Sequence, residues 1–131
     1  MAAARDLLQQ VSTSMMSCRD LEVWRTSMVV AVSCYELADN LPSKEQFNLG
    51  NQIRRAAISI PANIAEGHRR SRRAYLNHLS IALGSHAELE TYLDLLERRG
   101  APETSALVNT RTSLESVGRM LHGLVCSLER L

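Results

Sequence analysis

The chain has 131 residues, a length that fits one domain with a substantial hydrophobic core. Apolar residues make up 45% and charged residues 22%, as in ordinary globular proteins, and the net charge of +1 excludes a uniformly basic or acidic chain. No apolar run approaches the ~20 residues of a membrane span, and residues 1–17 lack the pattern of a secretory signal. Cys18, Cys34 and Cys126 form no CxxC pair, so we expect reduced thiols in a cytoplasmic protein.

Residues 1–18 are predicted to form a tail or a short helix, and the first long helix is predicted at about 20–40. Asp20 is its expected N-cap, and Asn40-Leu41-Pro42 closes it. Apolar residues occupy two adjoining faces of this helix, which predicts that it is largely buried. The main stripe comprises Leu21, Trp24, Met28, Ala31, Tyr35 and Ala38, and the flank comprises Val23, Val30, Cys34 and Leu37.

The second predicted helix begins near Ser43, where S-x-x-Q with Gln46 has the pattern of a capping box. Pro61 cannot donate a hydrogen bond to the carbonyl of Ala57, yet the apolar stripe continues beyond it, which predicts a kink within the helix. Gly67 is the expected terminator, in the left-handed conformation. The stripe consists of Leu49, Ile53, Ala56, Ala57, Ile60 and Ile64.

Two further helices are predicted after a short connection. Ser71 is the expected N-cap of the third helix, which Gly100 and Pro102 end, and the fourth runs from about Glu103 to the C-terminus. The third stripe is Leu76, Leu79, Leu83, His86, Leu89, Leu93 and Leu96; the fourth is Leu107, Thr110, Leu114, Val117, Leu121, Leu124 and Leu128.

The spacing of these elements predicts an all-α protein, because no segment shows the alternation of a β-strand. Four helices with short connections are typical of an antiparallel, up-down-up-down four-helix bundle, here with a kinked second helix. We expect the bundle to occupy residues 19–131.

Positive charge is concentrated in residues 54–73, which carry six arginines against Glu66 alone. Their net charge is +5, which leaves −4 on the rest of the chain. Such a segment predicts a site for an RNA backbone or another nucleic acid. An alternative is a solvated corner with ion pairs to Glu88, Glu90 or Glu97. The candidate nucleic-acid-binding residues are Arg54, Arg55, His68, Arg69, Arg70, Arg72 and Arg73.

Small and apolar residues also fall on the faces opposite the core stripes of the second and third helices. Close approach of another helix would use such a face, and one bundle already uses the inward faces, so the sequence predicts a homo-oligomer. The alternative is a scattering of tolerated surface residues. The candidate interface residues are Ile58, Ala62, Ala65, Ile81 and Gly84.

Enzymatic patterns are weak. No histidine has a glutamate three residues before it, which argues against a di-iron bundle, and His86 with Glu90 supplies too few ligands for a metal site. Arg73 and His78 match the loose Arg-x4-6-His pattern of some helical ribonucleases, which leaves a nuclease as a remote alternative. We therefore expect a protein without catalytic activity, cofactor or metal.

Three motifs occur in order over about residues 20–97: LEVW, Q-x-RRAA-x-SIPANIAEG and IALGS-x-x-EL. They resemble the four-helix-bundle proteins encoded in intervening sequences of bacterial 23S ribosomal RNA genes. The resemblance implies a homopentamer around a central channel and suggests RNA binding. It extends to the accessory variability protein of diversity-generating retroelements, which implies a protein partner such as a reverse transcriptase.

The motif positions in this chain are Leu21, Trp24, Gln52, Arg54, Arg55, Pro61, Asn63, Glu66, Gly67, Gly84, Ser85 and Glu88. Most of them are expected to be structural. Two positions depart from the family pattern. Ala74 stands where an acidic residue is frequent, and His78 stands where an aromatic residue is frequent, so the resemblance implies a more basic corner and a looser contact at the edge of the core.

Overall fold

The computed structural model describes residues 17–131, so most of the predicted N-terminal tail lies outside the described residues. Four long helices make up the fold: α1 (Glu22–Asp39), α2 (Asn51–His68), α3 (Arg72–Arg98) and α4 (Ser105–Glu129). A 3-10 turn, Cys18–Asp20, precedes α1, and a helical turn, Ser43–Glu45, leads through a π-helical turn, Gln46–Gly50, into α2. The predicted all-α four-helix bundle is confirmed.

Each long helix packs against two neighbours, in the cyclic order α1, α2, α3 and α4. Polar contacts join the end of one helix to the beginning of the next. Arg54 in α2 pairs with Asp39 at the end of α1 at 2.8 Å, and Arg111 in α4 pairs with Asp94 in the last part of α3 at 3.0 Å.

No helix of the described chain combines the length and the apolar character that crossing a membrane requires.

The core is built from the inner stripes of α2, α3 and α4, largely as the hydrophobic spacing predicts. All six stripe residues of the second helix are buried. In α3 and α4 the stripe is buried at most positions, while Leu76, Leu83 and Leu124 are partly covered. The fully buried large side chains of these three helices are Ile53, Ile60, Ile64, Leu79, Leu89, Leu93, Leu114, Val117 and Leu121, with Thr110 among them.

The prediction that the first helix is largely buried is wrong. The flank of α1 faces the core, with Val30 and Cys34 fully covered. The predicted main stripe is divided: Ala38 is fully covered, whereas Met28 and Tyr35 are 38% and 40% exposed. An apolar helix at the corner of a bundle buries only the face toward its two neighbours. The second apolar face of α1 therefore remains on the surface.

Two predicted helix starts differ from the structure. Leu21 occupies the N-cap position of α1 without a side-chain hydrogen bond, and Asp20 belongs to the preceding 3-10 turn. No capping box forms at Ser43. Gln46 instead donates from Nε2 to the carbonyls of Asp39 and Leu41, at 3.0 and 2.9 Å. The amide therefore satisfies carbonyls near the end of α1, the kind of group that a helix terminus leaves without a partner.

Other helix ends follow the expected chemistry. The Ser71 hydroxyl accepts a hydrogen bond from the backbone N–H of Ala74, which confirms the N-cap of α3. Gly100 ends that helix with a φ of 88°, a conformation that favours glycine. Thr104 caps α4 by accepting from the N–H of Leu107.

The helix α2 continues through Pro61, as predicted, and this proline is buried. The prediction that Gly67 ends the helix in a left-handed conformation is wrong, since α2 continues to His68 and among the described residues only Gly100 has a positive φ. Gly67 is buried inside the helix. Its role is therefore one of packing, which the contacts of α2 with α3 explain.

Candidate nucleic-acid and subunit interfaces

The connection between α2 and α3 brings four arginines to one end of the bundle. Residues 68–73, which we call the basic corner, comprise the last residue of α2, a tight turn that ends at the capping Ser71, and the first two residues of α3. The N–H of Arg70 is bonded to the Gly67 carbonyl at 3.0 Å in this turn. Arg69 and Arg73 are exposed, and neither forms an ion pair with a described residue. Their guanidinium groups are free to contact an external anion.

The other two arginines of the basic corner each make one polar contact within the chain. Arg70 contacts Glu66 through Nη2 at 3.1 Å, and both side chains are more than half exposed. Arg72 donates from Nη1 to the carbonyl of Leu128 at 2.9 Å, which ties the corner to the last turn of α4. Each guanidinium has five N–H donors, so both retain donors for a ligand.

Arg54 and Arg55 lie apart from the basic corner. Arg69 follows Arg54 by fifteen positions along α2, which corresponds to about 22 Å at 1.5 Å per residue. Arg54 pairs with Asp39 and bonds to Asn51, and Arg55 bonds to Gln52 at 3.2 Å. The seven predicted residues therefore form two separate groups, of which only His68 to Arg73 is a compact cationic surface.

The predicted alternative partners do not neutralise the basic corner. Glu97 pairs with Arg111, Glu90 lies against His86, and Glu88 accepts from Tyr92. Among the described residues the carboxylate that contacts the corner is the nearby Glu66. The interpretation as a corner paired to Glu88, Glu90 or Glu97 is therefore wrong.

Aromatic stacking on bases has little support at this corner. Tyr75 is 8% exposed, its ring meets His68 edge to face at 5.8 Å, and its hydroxyl is buried without a hydrogen-bond partner among residues 17–131. Burial, with a smaller contribution from Cys18, raises the pKa of Tyr75 to about 12. Burial also lowers the pKa of His68, against an opposing effect of Asp20. The corner thus offers cationic side chains without an exposed ring.

A polar network that the sequence did not predict joins α2 to α3 beside the corner. The Asn63 amide nitrogen donates to the Ser59 carbonyl at 2.8 Å and lies 3.1 Å from the Ser59 hydroxyl. Its oxygen faces His78 Nδ1 at 3.0 Å, and the Ser85 hydroxyl donates to that of Ser59 at 2.7 Å. His78 is therefore hydrogen-bonded to α2. The resemblance implied a looser contact at this position, and the structure has a specific hydrogen bond there.

Gly67 allows α2 to approach α3 closely next to this network. A Cβ at this position would lie 2.8 Å from His78 Cβ and 2.9 Å from Tyr75 Cδ1. Contacts this short do not occur in real structures, so the two helices could not keep their separation. The glycine of the PANIAEG stretch is thus needed for helix packing.

An apolar groove runs between α1 and α2 on the outside of the bundle, with a volume of about 570 Å³. The predicted interface residues Ile58, Ala62 and Ala65 lie in it. Across the groove lie five residues of α1, of which all but Val32 belong to the main stripe that was predicted to be buried. Ala31 is buried, whereas Met28, Val32 and Tyr35 are exposed. The lining from α1 is Trp24, Met28, Ala31, Val32 and Tyr35, and Pro61 adds to the α2 side.

The remaining predicted interface residues lie elsewhere. Ile81 is 51% exposed on α3, and a Cβ on Gly84 would meet nothing within 4 Å. Both face outward as predicted, and neither lines the groove. Phe47, the one phenylalanine of the chain, is 87% exposed on the π-helical turn, a feature that helical periodicity did not single out. Apolar surface is therefore present on more than one side of the bundle.

The buried histidine of α3 has a structural environment. His86 Nε2 lies 2.7 Å from the carbonyl of Leu114, an acceptor, so this nitrogen donates. Nδ1 lies 3.1 Å from Glu90. No group of three or more residues that could hold a metal ion occurs within residues 17–131. His86 therefore joins α3 to α4.

Comparisons with known proteins agree with the motifs. The family described as 23S rRNA-intervening sequence protein matches residues 19–123. The chain is also similar to a crystal structure from Bacteroides thetaiotaomicron, described as a protein with unknown function from the S23 ribosomal protein family. That likeness has 28% sequence identity and a TM-score of 0.72, and covers 79% of this chain and 97% of the other. No curated protein matches. The chain belongs to the 23S rRNA-intervening sequence protein family.

Proposed function

We propose that this protein is a non-catalytic, cytoplasmic RNA-binding protein that contacts the sugar-phosphate backbone through the basic corner. The observation that carries the proposal is the exposure of Arg69 and Arg73 without an acidic partner among the described residues. Arginine suits this role because its planar guanidinium can contact a phosphate with two parallel hydrogen bonds.

The expected mode of binding is independent of base sequence. Phosphate contacts give affinity and register, whereas base identity is distinguished by groups that reach base edges or stack on them. The aromatic side chain nearest the corner, Tyr75, is buried. The proposal therefore predicts similar affinities for RNAs of different sequence and a strong dependence on salt concentration.

A titration with labelled single-stranded RNA at several salt concentrations tests this function. The double variant Arg69→Ala/Arg73→Ala removes the two arginines of the corner that have no acidic partner among the described residues. Since each phosphate contact of a single strand contributes about 0.7 to the slope of log K against log salt, we expect this slope to fall by about 1.4. The matched control is Arg98→Ala/Arg119→Ala, which removes the same charge from exposed positions outside the corner. Undetectable binding by the wild type at low salt, or equal losses in both variants, contradicts the proposal.

We further propose that the apolar groove between α1 and α2 is covered by a second copy of the chain. The groove combines exposed large side chains, with Val32 at 57% and Ile58 at 45%, and the small side chains of Ala62 and Ala65, which permit close approach of a helix. The resemblance to the family supports a pentamer as the assembly.

Light scattering at micromolar concentration measures the mass of the assembly, and Ala62→Arg places a charged side chain in the groove. We expect the wild type to be an oligomer and the variant to dissociate at the same concentration. An oligomer that persists in the variant would place the contact on another surface. A monomeric wild type would leave the groove for a different protein, such as the reverse transcriptase that the resemblance implies.

A further inference from the structure

His78 and Arg70 face the same carboxylate oxygen beside the basic corner. Glu66 Oε1 lies 3.1 Å from Arg70 Nη2 and 3.9 Å from His78 Nε2. Within the described chain, Glu66 is the single carboxylate within 4.0 Å of the His78 ring. The charge of the His78 ring therefore affects whether Arg70 stays paired with Glu66.

The network between α2 and α3 fixes which nitrogen of His78 carries the hydrogen in the neutral ring. Asn63 donates through Nδ2 to Ser59, so its Oδ1 is the atom that faces His78 Nδ1 at 3.0 Å. An amide oxygen only accepts, and Nδ1 must therefore donate. Nε2 of the neutral ring is then a bare acceptor that faces a carboxylate, an arrangement without a hydrogen bond.

Protonation changes this arrangement at Nε2. The imidazolium can donate to Glu66, while the bond between Nδ1 and Asn63 is kept. The carboxylate that held Arg70 then has a second cation, and the local charge rises by one. Histidine is the side chain that ordinarily changes charge between pH 5 and 8. The side chain of His78 is 18% exposed, so solvent and protons reach its ring.

We propose that protonation of His78 strengthens the binding of phosphate-backbone ligands at the basic corner, by drawing Glu66 away from Arg70 and adding a positive charge. The inference rests on the RNA-binding function proposed above and concerns its regulation. Tyr75, the other titratable residue packed against Gly67 with His78, stays uncharged because burial raises its pKa to about 12. Burial lowers the pKa of His68, so this histidine gains charge at a lower pH than an ordinary histidine.

The test is a titration of a labelled uridine 20-mer by fluorescence anisotropy at pH 7.5 and 5.5 and at fixed salt. Neither the uracil base nor the phosphodiester changes charge in this range. We expect the affinity of the wild type to rise about three- to five-fold at the lower pH, the effect of one added exposed ion pair. In His78→Gln the rise should be lost, whereas the control His122→Gln, at an exposed position on α4, should keep it.

Glu66→Gln gives an independent measurement, because it frees Arg70 at both pH values. This variant should bind more tightly than the wild type at pH 7.5 and show a smaller pH dependence.

A second readout, NMR of the wild-type protein, needs no variant. Binding and protonation are reciprocal, so saturating RNA must move the NMR titration of the His78 ring in the wild type to higher pH by the same factor.

Each outcome decides between the two proposals. Wild-type binding that is detectable but independent of pH, or a pH dependence retained in His78→Gln, overturns the regulatory role and leaves RNA binding intact. If His78→Gln does not fold, an RNA-induced shift of the ring titration supports the role and its absence overturns it. No binding of the uridine 20-mer at any pH overturns RNA binding itself, and its regulation with it.

Discussion

Replacing Gly67 by alanine tests whether the close contact of α2 with α3 is a requirement of this fold. The new Cβ would lie 2.8 Å from His78 Cβ, 2.9 Å from Tyr75 Cδ1 and 3.3 Å from Tyr75 Cα. Two of these three atoms are fixed to the backbone of α3, so a side-chain rotation cannot relieve the overlap. The helices must separate, and the hydrogen bond between Asn63 and His78 at 3.0 Å would lengthen with them.

Two opposing terms set the expected magnitude. Alanine is favoured over glycine in a helix interior by about 1 kcal/mol. Overpacking of a close contact typically costs about 1–3 kcal/mol, and loss of a hydrogen bond costs about 1 kcal/mol more. We expect a net destabilisation of about 1–3 kcal/mol, which corresponds to a lower melting temperature by roughly 4–10 °C for a chain of this size.

Urea denaturation followed by circular dichroism at a fixed protomer concentration measures this difference. The matched control is Gly123→Ala, also inside a helix, where the added Cβ meets nothing within 4 Å. The control should gain up to about 1 kcal/mol from helix propensity alone. If Gly67→Ala is as stable as the wild type, or gains as the control does, the close approach of α2 to α3 is not what requires this glycine.

Three further predictions follow from buried groups. In Gly118→Ala the new Cβ would lie 2.8 Å from His86 Nε2, so urea denaturation should show a loss of about 1–3 kcal/mol, and an unchanged midpoint would contradict this packing. Burial raises the pKa of Cys34 to about 12, so a thiol reagent at pH 8 should modify the exposed Cys126 and spare Cys34 until urea unfolds the chain. In the folded protein the pKa values of Cys34 and Tyr75 are both about 12, above the ordinary 9.0 and 10.0. The stability that these two groups contribute is therefore complete below about pH 8.5 and is lost as the pH rises toward 12. Urea midpoints that stay constant up to about pH 11 would contradict this.

The core of α2, α3 and α4 could be predicted because one long apolar stripe continues along each of these helices, while the apolar residues on their opposite faces are few. The first helix has apolar residues on two faces, and the sequence alone does not say which face meets the bundle. Val30 and Cys34 are buried, while Val29 and Val32, of similar apolar character, are each 57% exposed. The choice depends on the neighbours that α1 packs against, which are distant in sequence.

Helix ends and charge partners show the same division between local and distant interactions. Ser71 and Gly100 act within their own turns, and both were predicted correctly. Gln46 has a local capping pattern but donates instead to carbonyls five and seven residues earlier in the chain. Arg111 pairs with Glu97, 14 residues away across a helix connection. A sequence pattern cannot rank such contacts against the local ones.

For the candidate site, the cluster from Arg69 to Arg73 could be predicted because these residues are adjacent in the chain. The separation of Arg54 from them follows from helix rise, and this signal was present in the sequence. The contact of His78 with Asn63 joins residues 15 positions apart on two helices, and only the structure places them together.

Several of the residues that identify the family join α2 to α3, and this bears on where its function lies. Ser59, Asn63 and Gly67 of the SIPANIAEG stretch, with Ser85 of IALGS, form the contact between α2 and α3. A motif with such a role identifies a fold and is expected in members that bind different partners. We therefore expect the binding properties of this chain to depend on what the bundle displays at its surface: the arginines of the basic corner, with the half-buried ring of His78 beside them, and the groove beside α1.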